Sequence, residues 1–159
     1  MKKVIAYTDG SATTHGDKLG GWGCYLTYEE DGQIIEEKFF HKGYKNTKTG
    51  RMELMAVINC LKNIPQKELR VQIYSDSIYV VNCIRDRRLW RWRRNMWVGL
   101  KNIELLMNFL SEVEKFHYIP ELIHIKGHTL NNDKHSLGNE IADKLASYKQ
   151  FEKYEIDLI

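Results

Sequence analysis

Four acids stand where the chain changes character. Asp9 closes an apolar run, residues 4–8, just before Gly10. Asp76 closes a β-rich run, residues 69–74, inside Ser75-Asp76-Ser77. Glu53 falls in the first turn of a helical pattern and shares a face with Val57, Cys60 and Leu61. Asp143 lies beside Ala142, one turn from Ala146. Taken singly, each is more simply a turn residue, a cap or a surface acid. Four such acids at element ends, within 159 residues, suggest one shared site. A carboxylate on an apolar stripe needs compensation. Clustered carboxylates repel and shift one another's pKa unless cations neutralise them. Mg²⁺ suits carboxylates together with phosphate oxygens and water. Two ions roughly 3.5–4 Å apart can activate a water and stabilise the leaving oxygen of a phosphodiester.

The elements that must position these acids follow from periodicity. Residues 4–8 and 21–28 read as strands, with Trp22, Cys24, Leu26 and Tyr28 alternating onto one face. Glu30-Asp31-Gly32-Gln33 marks a hairpin, and residues 34–40 a third, antiparallel strand. A helix is expected over 51–63, with Thr49 as its N-cap. Residues 69–74 form a fourth strand, parallel to the first across a right-handed crossover. A helix begins near Ile78, another covers 101–116, a fifth strand covers 122–125, and a last helix covers 138–148 after a polar loop. The sum is an α/β fold, a five-stranded mixed sheet with helices packed on it. In such sheets, sites form at the carboxyl ends of strands.

Composition bounds the setting. One domain over 1–159 is the simplest organisation, without repeats or linkers. No apolar run approaches a membrane span, and residues 4–7 are too short for a signal peptide. Cytoplasmic residence and no membrane partner are expected. Cys24, Cys60 and Cys83 are odd in number and lack C-x-x-C spacing, so reduced, buried thiols are expected. The whole chain carries +3, yet residues 85–101 hold seven cations against Asp86 alone. That segment carries the positive excess and suits a polyanionic partner. It interleaves arginines with Trp90, Trp92 and Trp97. Leu89, Trp92, Met96 and Leu100 fit one apolar stripe, leaving Arg87, Arg91 and Arg94 to track phosphates. Trp90 and Trp97 are placed to pack on sugar or base.

Six pieces, in order along the whole chain, resemble type 1 ribonuclease H. They are Tyr7-Thr8-Asp9-Gly10-Ser11; Gly20-Gly21-Trp22-Gly23; Arg51-Met52-Glu53-Leu54-Met55-Ala56; Tyr74-Ser75-Asp76-Ser77-Ile78-Tyr79-Val80; Ile125-Lys126-Gly127-His128; and Asn139-Glu140-Ile141-Ala142-Asp143-Lys144-Leu145-Ala146. The resemblance implies a ribonuclease H-like fold with helices on both sheet faces. It implies an endoribonuclease that cuts the RNA strand of RNA–DNA hybrids, leaving 5′-phosphate and 3′-hydroxyl ends. Asp9, Glu53, Asp76 and Asp143 would hold two Mg²⁺ ions, with Mn²⁺ able to substitute. By the same resemblance Asp9 bridges the ions, Asp143 serves the water side, and Glu53 and Asp76 serve the leaving oxygen. His128 matches the loop histidine that moves a proton or helps product leave, work suited to an imidazole. The basic stretch matches a protrusion that grips the DNA strand.

Two departures from the pattern stand out. The loop from His128 to Asp143 is long and contains His135, a rival to His128. Thr49-Gly50 precedes Arg51 where the family often has two amides, which leaves Asn46, Thr47 and Thr49 as candidate substrate contacts. A monomer is expected, and Met1 directly before the first strand favours a stand-alone enzyme over a reverse-transcriptase domain. A catalytically inactive hybrid-binding module and another nuclease or integrase of the same fold are the alternatives.

Overall fold

A computed structural model of the protein describes residues 1–126 and 133–158. Among these residues six strands form one sheet: β1 (Lys2–Ala12), β2 (Gly20–Glu30), β3 (Gln33–Lys45), β4 (Arg70–Ser75), β5 (Glu121–His124) and β6 (Tyr154–Ile156). The order is β5-β4-β1-β2-β3-β6. β1, β2 and β3 are antiparallel neighbours. β4 runs parallel to β1, and β5 parallel to β4. The mixed α/β sheet is as expected, but it has six strands rather than five. The extra strand, β6, adds parallel to β3. At three residues it is too short for alternation to announce it.

Five helices pack on this sheet: α1 (Thr49–Lys62), α2 (Ile78–Arg85), α3 (Arg88–Arg94), α4 (Ile103–Val113) and α5 (Lys134–Ala146). Alternation along β1 and β2 sends side chains to opposite faces. Val4, Ala6, Trp22, Cys24, Leu26 and Tyr28 join the larger core with residues of α1 to α4. Ile5, Tyr7 and Tyr25 join the smaller core under α5, with Ala142. Helices therefore cover both faces. The three cysteines are free and buried. No helix among the described residues is long and apolar enough to cross a membrane.

Several boundaries differ from expectation for local reasons. Thr49 is the first residue of α1 rather than its cap; Lys48 holds the cap position and makes no side-chain bond there. The basic segment is not one amphipathic helix. Arg87, Met96, Trp97 and Asn102 adopt positive φ, so α3 is confined to seven residues. The apolar stripe breaks with it: Leu89 is fully buried but Met96 is 82% exposed. α5 starts at Lys134, ahead of Gly138, because Asp133 caps it by accepting from the Ser136 amide at 2.8 Å. Position 138, inside the helix, has no room for a side chain, since a Cβ there would stand 2.5 Å from the Tyr7 ring.

Candidate active site

The register of the parallel pair places the first two acids. Thr8 pairs with Ser75. Asp9 and Asp76 are the next residues along, at the same edge of neighbouring strands. Ser77 then starts α2, its hydroxyl accepting from the Val80 amide at 3.3 Å.

Glycines bring the other two acids in. A Cβ on Gly10 would stand 2.5 Å from the carbonyl carbon of Met52, so α1 lies directly on β1 beside Asp9. On the other face, a Cβ on Gly23 would meet the Ala142 carbonyl oxygen at 2.7 Å. Gly23 is the register partner of Asp9. One glycine thus seats the backbone that carries Glu53, and the other seats the turn that carries Asp143.

Asp9 is 7% exposed and accepts from the Gly10 amide at 2.9 Å. Its carboxyl is pushed up to about 9. Burial is the largest cause, followed by the Asp76 charge and a hydrogen bond with Asp143; the Gly10 amide opposes them. Two carboxyls sharing a hydrogen bond must share a proton. Glu53, half-buried, is also raised, by burial first and by the Asp76 charge, while a Ser77 hydrogen bond lowers it. The groups acting on Asp9 are acids and one backbone amide. Burial and neighbouring acids favour the protonated Asp9 carboxyl, and a divalent cation can take the place of that proton. The donor set is all oxygen and fits Mg²⁺ or Mn²⁺. The cage is not pre-closed: among the described residues no three acids, histidines or cysteines already surround one ion position.

The histidines part company. His128 lies outside the described residues. His135 stands in the first turn of α5, eight residues before Asp143 and so about 12 Å from it along the helix. It is spent on the sheet. Its Nδ1 is 2.9 Å from the Tyr7 hydroxyl, and its ring stacks on Tyr74 at 4.1 Å between centroids.

The candidate substrate contacts are spread over two places. Arg91 and Arg94 are exposed on α3. Arg87 precedes that helix, and its guanidinium covers the Trp90 ring at 4.6 Å. Trp90 and Trp97 are half-buried against the larger core. At the start of α1, Thr47 and Thr49 line a hollow of about 370 Å³ with Thr13, Thr14, Lys18 and Lys48. Asn46 is exposed. Thr47 is 1% exposed, and its hydroxyl donates to Asp157 at 2.8 Å. Sequence patterning does not single out Asp157 or Arg51, its ion-pair partner. The available signal is an arginine set among the apolar residues of α1.

Comparison with known proteins identifies the family and the fold. Residues 1–150 match the family described as RNase H. A ribonuclease H of Clostridium botulinum (strain Hall) is 35% identical over 154 residues, spanning 91% of this chain and 98% of that protein. A ribonuclease H of Acetivibrio thermocellus is 37% identical over 155 residues, spanning 92% and 94%. Among solved structures, LC9-RNase H1, a type 1 RNase H with the type 2 active-site motif, superposes with a TM-score of 0.72 at 26% identity, covering 90% of this chain and 69% of that one. The PFV RNase H domain gives 0.69 at 28% identity, covering 91% and 92%.

Proposed function

The chain belongs to the ribonuclease H family, and from that premise we propose that it hydrolyses the RNA strand of RNA–DNA hybrids with divalent cations, leaving 5′-phosphate and 3′-hydroxyl ends. The observation that carries this reading is the buried Asp9 carboxyl, which meets Asp76 and Asp143 with only a backbone amide to offset them. Asp9, Glu53, Asp76 and Asp143 would hold two Mg²⁺ ions, or Mn²⁺ in their place. Bound there, the ions supply activation of a water and stabilisation of the leaving 3′ oxygen. The chain's own part is placement. Gly10 lets α1 lie on β1, and Gly23 lets α5 lie on β2 beside Asp9, so that both helices bring their acids toward it. Ser77 steadies the Glu53 carboxylate from the cap of α2.

The exposed arginines of the 85–101 segment grip the hybrid's phosphates, and His128 serves proton transfer or product release. A monomer suffices, since one chain supplies all four acids. The buried free thiols support residence in a reducing cytoplasm.

The test is cleavage of labelled RNA–DNA hybrid, double-stranded RNA and double-stranded DNA, with Mg²⁺ or EDTA, beside Asp76→Asn. Only the hybrid's RNA is expected to be cut, and only by wild type with Mg²⁺. Cleavage that survives EDTA removes the metal mechanism. Hybrid binding without cleavage makes the chain an inactive hybrid-binding module.

A further inference from the structure

α1 begins without the usual local restraints. Its cap, Lys48, makes no side-chain bond, its first turn holds no acid, and Gly50 is its second residue. An uncapped turn containing glycine is a poor platform. Yet Glu53 is its fifth residue, and the proposed chemistry needs that carboxylate held still.

The restraint comes from the other end of the chain. Arg51 is 4% exposed, and its guanidinium is bonded along every edge. Nε donates to Asp157 Oδ2 at 2.7 Å and Nη2 to Asp157 Oδ1 at 2.9 Å. Nη1 donates to Glu104 Oε1 at 2.5 Å and to Asn102 Oδ1 at 3.2 Å. Asp157 is 3% exposed. Besides Arg51 and Thr47, it is fixed through its own amide, which donates to the Lys45 carbonyl at 2.9 Å. Pairing of Ile156 with Lys45 brings it there. Phe151 anchors the tail upstream, since it fills the space where a Gly43 Cβ would fall 2.7 Å from its ring.

We propose that Asp157 is a positioning residue for hybrid cleavage, holding the first turn of α1 through Arg51 so that Glu53 meets Asp76 and Asp9. This rests on the reading of Glu53 as a metal-holding acid. A buried ion pair is weak grounds for stability, because desolvation offsets its attraction; its better-attested use is to fix geometry. The pair joins four places that must agree: the end of β3, the entry to α1, its first turn, and the start of α4. Arg51 and Glu53 are two residues apart on a helix, so their side chains point to different sides. Arg51 holds the turn without touching the site. The family match ends at residue 150, ahead of Asp157.

The test compares full-length wild type, Asp157→Asn and Leu110→Ala, a core variant that lowers stability without touching α1's first turn. All are assayed well below their melting temperatures. Asp157→Asn is expected to lower kcat on the hybrid about 10–100-fold, the cost of a misplaced catalytic group. KM should change less than about threefold, and half-maximal rate should need more Mg²⁺. Leu110→Ala should keep wild-type kcat. Amide exchange without metal should quicken at residues 50–53 in Asp157→Asn and stay unchanged in α5. If Asp157→Asn fails to fold, Thr47→Val removes one donor to the same carboxylate and should give a smaller loss of the same kind. Unchanged kcat together with unchanged exchange at 50–53 overturns the proposal. If wild type does not cut the hybrid at all, the functional reading falls, and exchange at 50–53 still decides whether Asp157 holds the turn.

Discussion

Gly10 and Glu53 are in backbone contact. A Cβ on Gly10 would stand 2.5 Å from the carbonyl carbon of Met52 and closer still to the Glu53 nitrogen. Both obstacles are main chain, so no rotamer change makes room. Gly10→Ala must therefore push α1 away from β1 and carry Glu53 with it. The cost in stability is about 1–3 kcal/mol, as for overpacking elsewhere. Hybrid cleavage should fall at least about 100-fold, while Gly16→Ala, at an open turn position with φ +59°, should cost little activity. A melting curve and a cleavage assay on both variants check this.

Asp9 gives a signed prediction for the metal-free protein. Its carboxyl rises from 3.8 to about 9 on folding, chiefly by burial. Between those values the folded state holds a proton that the unfolded chain releases, so stability falls as pH rises. Asp9→Asn removes that loss. In EDTA at neutral pH it should melt higher than wild type, by roughly 3–6 °C for about 1–2 kcal/mol. Mg²⁺ should raise the melting temperature of wild type more than that of the variant, because binding to the folded state stabilises it. Asp9→Asn should not cut the hybrid.

The four acids are legible in the amino-acid sequence because each interrupts an apolar pattern, although only Asp76 stands just past a strand's end: Asp9 lies inside β1, Glu53 inside α1 and Asp143 inside α5. Strands β1 and β4 announce themselves by apolar runs that stop at an aspartate. Periodicity does not show how the ends meet. Gly10 looks like a turn residue in sequence and Gly23 like an ordinary strand position, yet both lie inside strands and serve close packing. β6 and Asp157 escape detection because three residues carry no visible pattern, and because their partners, Gly43 to Lys45 and Arg51, are more than 100 positions away. The 85–101 segment misleads for a different reason. Its stripe suits a continuous helix, but residues 96 and 97 turn to positive φ and end the pattern.

His135 should matter to stability and little to chemistry. Tyr7 and Lys3 of β1, Glu29 of β2, Tyr74 of β4, and Asp133 and Lys134 beside it all face or act on its ring. Its pKa is lowered from 6.5, by burial first and then by Lys134, against the opposing pull of Asp133 and Glu29. The folded state thus prefers the neutral ring, which shares a hydrogen bond with the Tyr7 hydroxyl. The unfolded chain binds the proton first as pH falls, so this contribution is complete above about pH 6.5 and is lost in acid. His135→Phe keeps the stacking on Tyr74 but cannot titrate. Its stability should lose the component of pH dependence below about pH 6.5, at a cost of about 1 kcal/mol for the Tyr7 hydroxyl. Its kcat at about pH 8 should stay within about twofold of wild type. A loss of about 100-fold would return His135 to the chemistry.

The basic segment predicts a salt effect rather than a rate effect. Arg91 and Arg94 are exposed and turned outward from α3; Arg93, beside them, is tied to Glu114 at 2.7 Å. Arginines that neutralise phosphates displace condensed counterions, so each contact adds about 0.7–0.9 to the slope of log affinity against log salt. Replacing Arg87, Arg91 and Arg94 by Gln should flatten that slope by about 2 and raise KM at about 100 mM salt, while kcat at saturating hybrid holds. Arg93→Gln should do less, since its charge is already met. Trp90→Ala tests a separate contribution. Its ring packs on the core and lies under Arg87, so the change should lower the melting temperature and weaken binding without altering the salt slope beyond the share Arg87 carries. An unchanged slope in the triple variant would move the hybrid's path away from α3, toward the threonine-lined hollow beside Lys18 and Lys48.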